Sequence, residues 1–368
     1  MKIPPFELLD WLLENEKDAR YDFGISNIPG LLFSELQELT GYEIPADFDL
    51  GKNDHFGEEN LREALAGIYK WDSDNIVTAT GGSEANFLAY LATIEAGDEV
   101  IVENPGYEPM YRVPAMLGGK IEKWERKFDD DFQLDLDELN EIISPSKKLI
   151  VLTNLHNPSG VLTSRKTMEA VAGIARDNRA HVLIDEMFLD ASNFPCSSAA
   201  GIEGIIVTCS VTKLYGLGGF RTGWIIAEKE TAKLCQQAKS MASAASPYIS
   251  EVISKSVVLT AREKLLERFK NIANRNMAIV KNWMDERKDI MNYVSPAGGI
   301  MCFPRYSLEI DSVTLCRKLL DKTGVLISPG KYFGLDGHFR LTAVGPVNEV
   351  KAGLAALGEG LNEIKINL

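Results

Sequence analysis

Between Asn75 and Ala227, short runs of apolar and β-branched residues alternate with longer stretches of helical periodicity, and this alternation limits the fold more than any other feature. The runs are Ile76 to Thr78, Val100 to Val102, Leu149 to Leu152, His181 to Ile184, Ile205 to Thr208 and Trp224 to Ala227. Segments such as KLIVL and GIIVT are apolar throughout rather than at every second residue, as strands covered on both faces should be. Glu84 to Glu95 and Ser164 to Asp177 are helical stretches long enough to cross over between parallel strands. The expected fold class is α/β, a mostly parallel central sheet with flanking helices.

After Ser246 the pattern turns helical for some forty residues, with Pro247 near its start and apolar residues at helical spacing through Trp283. Beyond Pro296 the chain restarts with GGIMCF, a helix around Ser312 to Asp321, the segments GVLISPG and HFRLTAV, and a terminal helix. A chain of 368 residues favours more than one core. The expected division is an N-terminal arm and part of a small domain in 1–45, a large domain in 46–285 ending in a long connecting helix, and the rest of a smaller α+β domain in 286–368.

Lysine and arginine total 39 against 53 acids, a formal net charge of −14, so nucleic acid and anionic membranes are not expected partners. Five scattered cysteines with no C-x-x-C pair argue against a disulfide framework or zinc site and for a reducing compartment. No apolar run approaches the ~18 residues of a membrane span, and the start, MKIPPFELLDWLLENE, lacks a signal-peptide pattern. The expected location is cytoplasmic.

Four segments carry chemistry. In SVTKLYGLGGFRTGW, residues 210 to 224, Lys213 follows a buried strand and stands among Ser210, Thr212, four glycines and Arg221. Hydroxyls, pliable backbone and a guanidinium make an anion site. A lysine beside a bound phosphate points to a carbonyl cofactor carrying that phosphate and held as a Schiff base. A phosphate loop of the nucleotide type fails, because residue 214 is leucine where that motif needs Gly-Lys-Ser/Thr. In TATGGSEAN, the N–H groups of Gly81, Gly82 and Ser83 open a helix and can face an anion. In HVLIDEMF, Asp185 ends an apolar strand, where ligands of open α/β sheets bind, and its carboxylate can keep a pyridine nitrogen protonated. In NLHNPSG, Asn157 can donate to a ring oxygen. Taken singly these are also a solvated loop lysine, a turn with a helix cap, a capping acid and an Asn-Pro-Ser-Gly turn.

Taken together, in this order and with 28 residues separating both Asn157 from Asp185 and Asp185 from Lys213, the segments resemble the class I and II aminotransferases of the fold-type-I pyridoxal-phosphate superfamily. The resemblance implies pyridoxal 5′-phosphate held on Lys213, Asp185 at the pyridine nitrogen, and Asn157 at the ring hydroxyl and near the substrate. It places Gly82, Ser83, Ser210 and Arg221 at the phosphate. Tyr107 in ENPGYEPMY would stack on the ring, and Arg340 in HFRLTAV would bind the substrate carboxylate. Pro329 and Gly330 in SPGKYFG also match the family's pattern.

Two positions depart from that pattern. Phe188 stands where the family has a tyrosine, which removes one donor to the cofactor oxygen. Lys52 stands where a tyrosine reaches the neighbouring subunit's phosphate. The implied activity is ping-pong exchange of an amino group between an amino acid and a 2-oxo acid, in a homodimer with shared active sites. The start PPFELLDWL and the motif GGSEAN resemble a superfamily member that uses the same cofactor for elimination and cyclisation, so a lyase or cyclase acting by β-elimination is the alternative. No second arginine for a dicarboxylate stands out, which leaves aspartate, aromatic and small aliphatic donors open.

Overall fold

The computed structural model describes residues 3–366. Its central sheet has seven strands: β1 Ile76–Ala79, β2 Glu99–Asn104, β3 Lys120–Glu125, β4 Lys147–Thr153, β5 His181–Asp185, β6 Ile205–Ser210 and β7 Gly223–Ile226. They lie in the order β1-β7-β6-β5-β4-β2-β3. Only β7 runs against its neighbours, pairing antiparallel with β1 and β6, while the other pairs are parallel. Leu149 to Leu152 and Val182 to Ile184 are all fully buried, which explains their lack of alternation.

Strand β3 has no counterpart among the apolar runs of the sequence. It forms the sheet edge, and in KIEKWE only Trp124 is buried, so its outward residues are charged, as suits an edge strand.

The register brings the chemistry to one end of the sheet. Thr153 pairs with Asp185, Asp185 with Thr208, and Ser210 with Gly223, so the carboxyl ends of β4, β5 and β6 lie level. Because β7 is antiparallel, its first residue, Gly223, meets the last residue of β1, Ala79. The turns that leave β1 and enter β7 therefore touch, and a Cβ on Gly223 would stand 2.5 Å from the Gly81 carbonyl carbon. The sequence thus folds its candidate anion loops into one rim.

A second core joins Trp283, Leu315, Leu319, Val325, Phe339, Leu341 and Leu354 with Trp11 and Phe23 from the N-terminus. Trp11 Nε1 donates to Ile327 O at 3.0 Å, and Tyr21–Asp22 pairs in parallel with Val325–Leu326. Leu36 of the helix Phe33–Thr40 packs instead with the sheet. The two cores are linked by the helix Arg262–Asp285, which follows Tyr248–Ser256 after a wider five-residue turn. Leu265 belongs to the sheet core, whereas Met277, Val280 and Met284 belong to the second, so one amphipathic face passes from core to core. Among the described residues, no helix is long and apolar enough to cross a membrane.

Candidate active site

Gly82, Ser83, Tyr107, Asn157, Asp185, Phe188, Ser210, Thr212, Lys213 and Arg221 face one cavity of about 240 Å³. Gly81 stands at its rim with φ +80°, a backbone that disfavours side chains, and a Cβ there would lie 2.5 Å from Arg221 Nη2. Arg340 and Lys52 do not line the cavity. Arg340 is buried behind Asn157, whose Oδ1 accepts from Arg340 Nη1 at 3.1 Å. Lys52 lies on the surface, its Nζ 4.8 Å from the centre of the Tyr248 ring.

Lys213 is carried into the cavity by the turn that follows β6. Its Nζ donates to Asn27 Oδ1 at 2.8 Å, with Ser26 Oγ at 3.5 Å. Burial lowers its pKa to about 8; Arg340 and Arg221 push the same way, and Asp185 opposes them. An amine of that kind loses its proton near neutrality, as a nucleophile or general base requires.

Asp185 accepts from Asn86 Nδ2 at 2.9 Å through Oδ2 and from the Met187 N–H at 3.0 Å through Oδ1. Burial raises its pKa against both hydrogen bonds. Asn86 is fixed in turn, because Thr208 Oγ1 donates to its Oδ1 at 2.6 Å. Beneath Asn157, Thr153 Oγ1 accepts its backbone N–H at 2.9 Å and donates to Glu103 Oε1 at 2.6 Å. Glu103 pairs with Arg126 at 2.8 Å in the interior. With its Oδ1 committed to Arg340, Asn157 keeps its side-chain N–H groups for a ligand.

At the opposite end, Ser83 opens the cavity side of the helix Gly81–Thr93, and Arg221, with φ +50°, reaches Thr80 O at 3.4 Å. Thr212 Oγ1 and Arg340 Nε are buried without a hydrogen-bond partner. Ser210 Oγ accepts the Thr212 N–H at 3.3 Å, and its own hydroxyl hydrogen has the weak acceptor sulfur of Met187 at 3.1 Å. Buried polar atoms are normally paired, so the orphan Thr212 Oγ1 in the cavity lining, beside the weakly satisfied Ser210 hydroxyl, marks a place shaped for a polar ligand. An anion is suited by the helix N-terminus and guanidinium, and a carbonyl by the amine. The residues fit a phosphorylated pyridine aldehyde.

The structure adds lining residues absent from the sequence reading: Ser26, Asn27, Asn86, Thr153, Leu155 and Met187. Asn86 lies one helical turn after Gly82, on the same helix face, so a signal for it was present. Ser26 and Asn27 lie in a segment without periodicity and reach the site only through tertiary contact.

The family model described as aminotransferase class I and II matches residues 53–357. Capreomycidine synthase of Streptomyces vinaceus is 28% identical over 368 residues, covering 98% of this chain and 94% of that protein. An aspartate aminotransferase of Thermotoga maritima is 23% identical over 313 residues, 83% of this chain and 80% of its own. The crystal structure of a PLP-dependent aminotransferase from Streptococcus suis superposes with a TM-score of 0.91 at 27% identity, over 99% of both chains.

Proposed function

The chain belongs to the class I and II aminotransferases, whose cofactor is pyridoxal 5′-phosphate, and from that premise we propose that it moves an amino group from an amino acid to a 2-oxo acid by a ping-pong mechanism. The observation that carries the reading is the half-buried amine of Lys213, set in one cavity with the Asp185 carboxylate and the Arg221 guanidinium. When bound, the cofactor supplies an electron sink for the bonds at the substrate's α-carbon.

The chain's own residues do the rest. Lys213 would anchor the cofactor carbonyl and, once free, take the α-proton and deliver it across the intervening nitrogen to the carbon that had been the carbonyl. Asp185, held by Asn86, keeps the ring nitrogen protonated. Ser83, Ser210, Thr212 and Arg221 bind the phosphate, with N–H groups of Gly81 and Gly82 behind them. Tyr107 and Phe188 wall the ring. Asn157 donates to the ring oxygen while steadying Arg340, which takes the substrate carboxylate with its two-pronged guanidinium. A homodimer, with Lys52 reaching the partner's phosphate, completes the reading. A cytoplasmic place is supported by five cysteines that stay unpaired.

A second reading, β-elimination or cyclisation on the same scaffold, is favoured by the near full-length similarity to capreomycidine synthase. One experiment separates them. The cofactor-loaded enzyme is mixed with a panel of amino acids, including ones with a leaving group on the β-carbon, and its absorbance is followed. Stoichiometric conversion of cofactor to its amine form, reversed by 2-oxoglutarate, supports transamination. Catalytic release of the β-substituent, with ammonia or a ring-closed product and no lasting change in the cofactor, overturns it in favour of elimination.

A further inference from the structure

In the proposed turnover the ε-amine of Lys213 is released when an amino acid takes its place on the cofactor, and it then needs a partner at the cavity wall. Within hydrogen-bond reach of that amine is a side chain 186 positions away, Asn27, whose Oδ1 accepts from Lys213 Nζ at 2.8 Å. The segment that carries Asn27 is fastened to the second core. Phe23 N donates to Leu326 O at 2.8 Å, and Thr342 N donates to Phe23 O at 2.9 Å. Thr342 Oγ1, with a single hydrogen to donate, lies 2.6 Å from Ile25 O and 2.9 Å from Phe23 O. Gly24 O accepts from Arg340 Nη2 at 2.7 Å, while Nη1 of the same guanidinium holds Asn157.

We propose that Asn27 is a positioning residue for Lys213: its carboxamide oxygen parks the displaced ε-amine at the cavity wall, and its segment, hung on Arg340, ties that parking place to the substrate carboxylate site. This rests on the reading of Lys213 and Arg340 given above. An amide oxygen accepts an N–H but takes no proton, so it orients the amine and leaves a neutral nitrogen's lone pair free for the α-proton. Against the ammonium it acts as a stabilising acceptor, alongside Asp185 from β5 and against Arg221 and Arg340; the remaining titratable group of the cavity is the Tyr107 phenol.

Two measurements test it. In cofactor-free protein, the pH dependence of reductive methylation at Lys213, resolved by peptide mass spectrometry, reports how firmly the amine holds its proton. Asn27→Ala should lower the midpoint by about one to two units, since a hydrogen bond to a charged group is worth roughly 1.5–3 kcal/mol and a unit corresponds to about 1.36. Asn27→Asp should raise it. In the loaded enzyme, Asn27→Ala should slow loss of deuterium from an α-deuterated amino acid about tenfold or more, with the cofactor still fixed on Lys213 by borohydride. Asn27→Ser replaces Asn27→Ala if the alanine variant fails to fold. Coincident midpoints, or an unchanged deuterium loss, overturn the proposal. A wild-type enzyme that exchanges no α-deuterium overturns the functional reading instead, and the methylation midpoints still decide whether Asn27 holds the amine.

Discussion

Phe188 is buried with Leu155, Met187 and Leu214, and one side of its ring faces the cavity. Asn157 is then the expected donor to the cofactor's ring oxygen, and its amide oxygen is already taken by Arg340. Phe188→Tyr should add a second donor, favour the charged oxygen and lower the midpoint of the loaded enzyme's absorbance titration by about one to two units, from roughly 1.5–3 kcal/mol for a hydrogen bond to a charged group. An unchanged or raised midpoint with cofactor bound would mean that the new phenol does not reach the oxygen. At this scale the sequence was informative where a residue sits in a motif at a strand end, as Asp185 and Lys213 do. It was silent where a residue acts by holding another. Thr153 is one threonine among many until the fold sets its hydroxyl between Glu103 and the Asn157 N–H.

The turn leaving β5 shows how an element is held at a site. Asp185 points into the cavity, while its neighbour Glu186 turns away and accepts from the Ala199 N–H at 2.7 Å, clamping the following loop to the strand. Burial lifts the Glu186 pKa from 4.5 to about 7, against the Ala199 hydrogen bond. A carboxyl whose folded pKa is raised binds its proton more tightly in the folded state, so its contribution is fully present below about 4.5 and is lost as pH rises through about 7. Glu186→Gln keeps the acceptor and removes the charge. Its Tm relative to wild type should therefore climb between pH 5 and pH 8.5 in paired thermal melts, and a pH-independent difference would refute an ionising Glu186. The buried strands β4, β5 and β6 were legible because continuous apolar runs leave no other covered-sheet reading. Edge strand β3 was not, since half of it faces solvent and its charges mimic a loop.

Over the whole molecule, the shift from sheet pattern to long helix matches the passage from one core to the other, whereas the expectation that part of 1–45 joins the small domain had no periodicity behind it, and Trp11 and Phe23 reach the second core by pairing across the chain. Such pairing depends on contacts some 300 positions apart, as between Trp11 and Ile327. What a single chain leaves unused is Lys52. It is exposed beside Tyr248, whose side chain is the leading cause of its raised pKa, and it stands outside the cavity of its own chain. If its partner is the phosphate of a second copy, the particle should have twice the 40.7 kDa mass of the chain in sedimentation, and Lys52→Ala should weaken cofactor retention without lowering the Tm of the cofactor-free protein. Mixing then decides between its own site and its neighbour's. A dimer of one Lys52→Ala chain and one Lys213→Ala chain contains, in the shared-site arrangement, one complete site: Lys213 from the first chain and Lys52 from the second. Such mixed dimers should hold one borohydride-fixed cofactor with wild-type affinity. If Lys52 served its own chain, every Lys213 in the mixture would face an alanine at position 52, and affinity would remain at the level of the single variant. Restoration therefore establishes action across the interface, and failure to restore returns Lys52 to a solvated surface residue or to its own site.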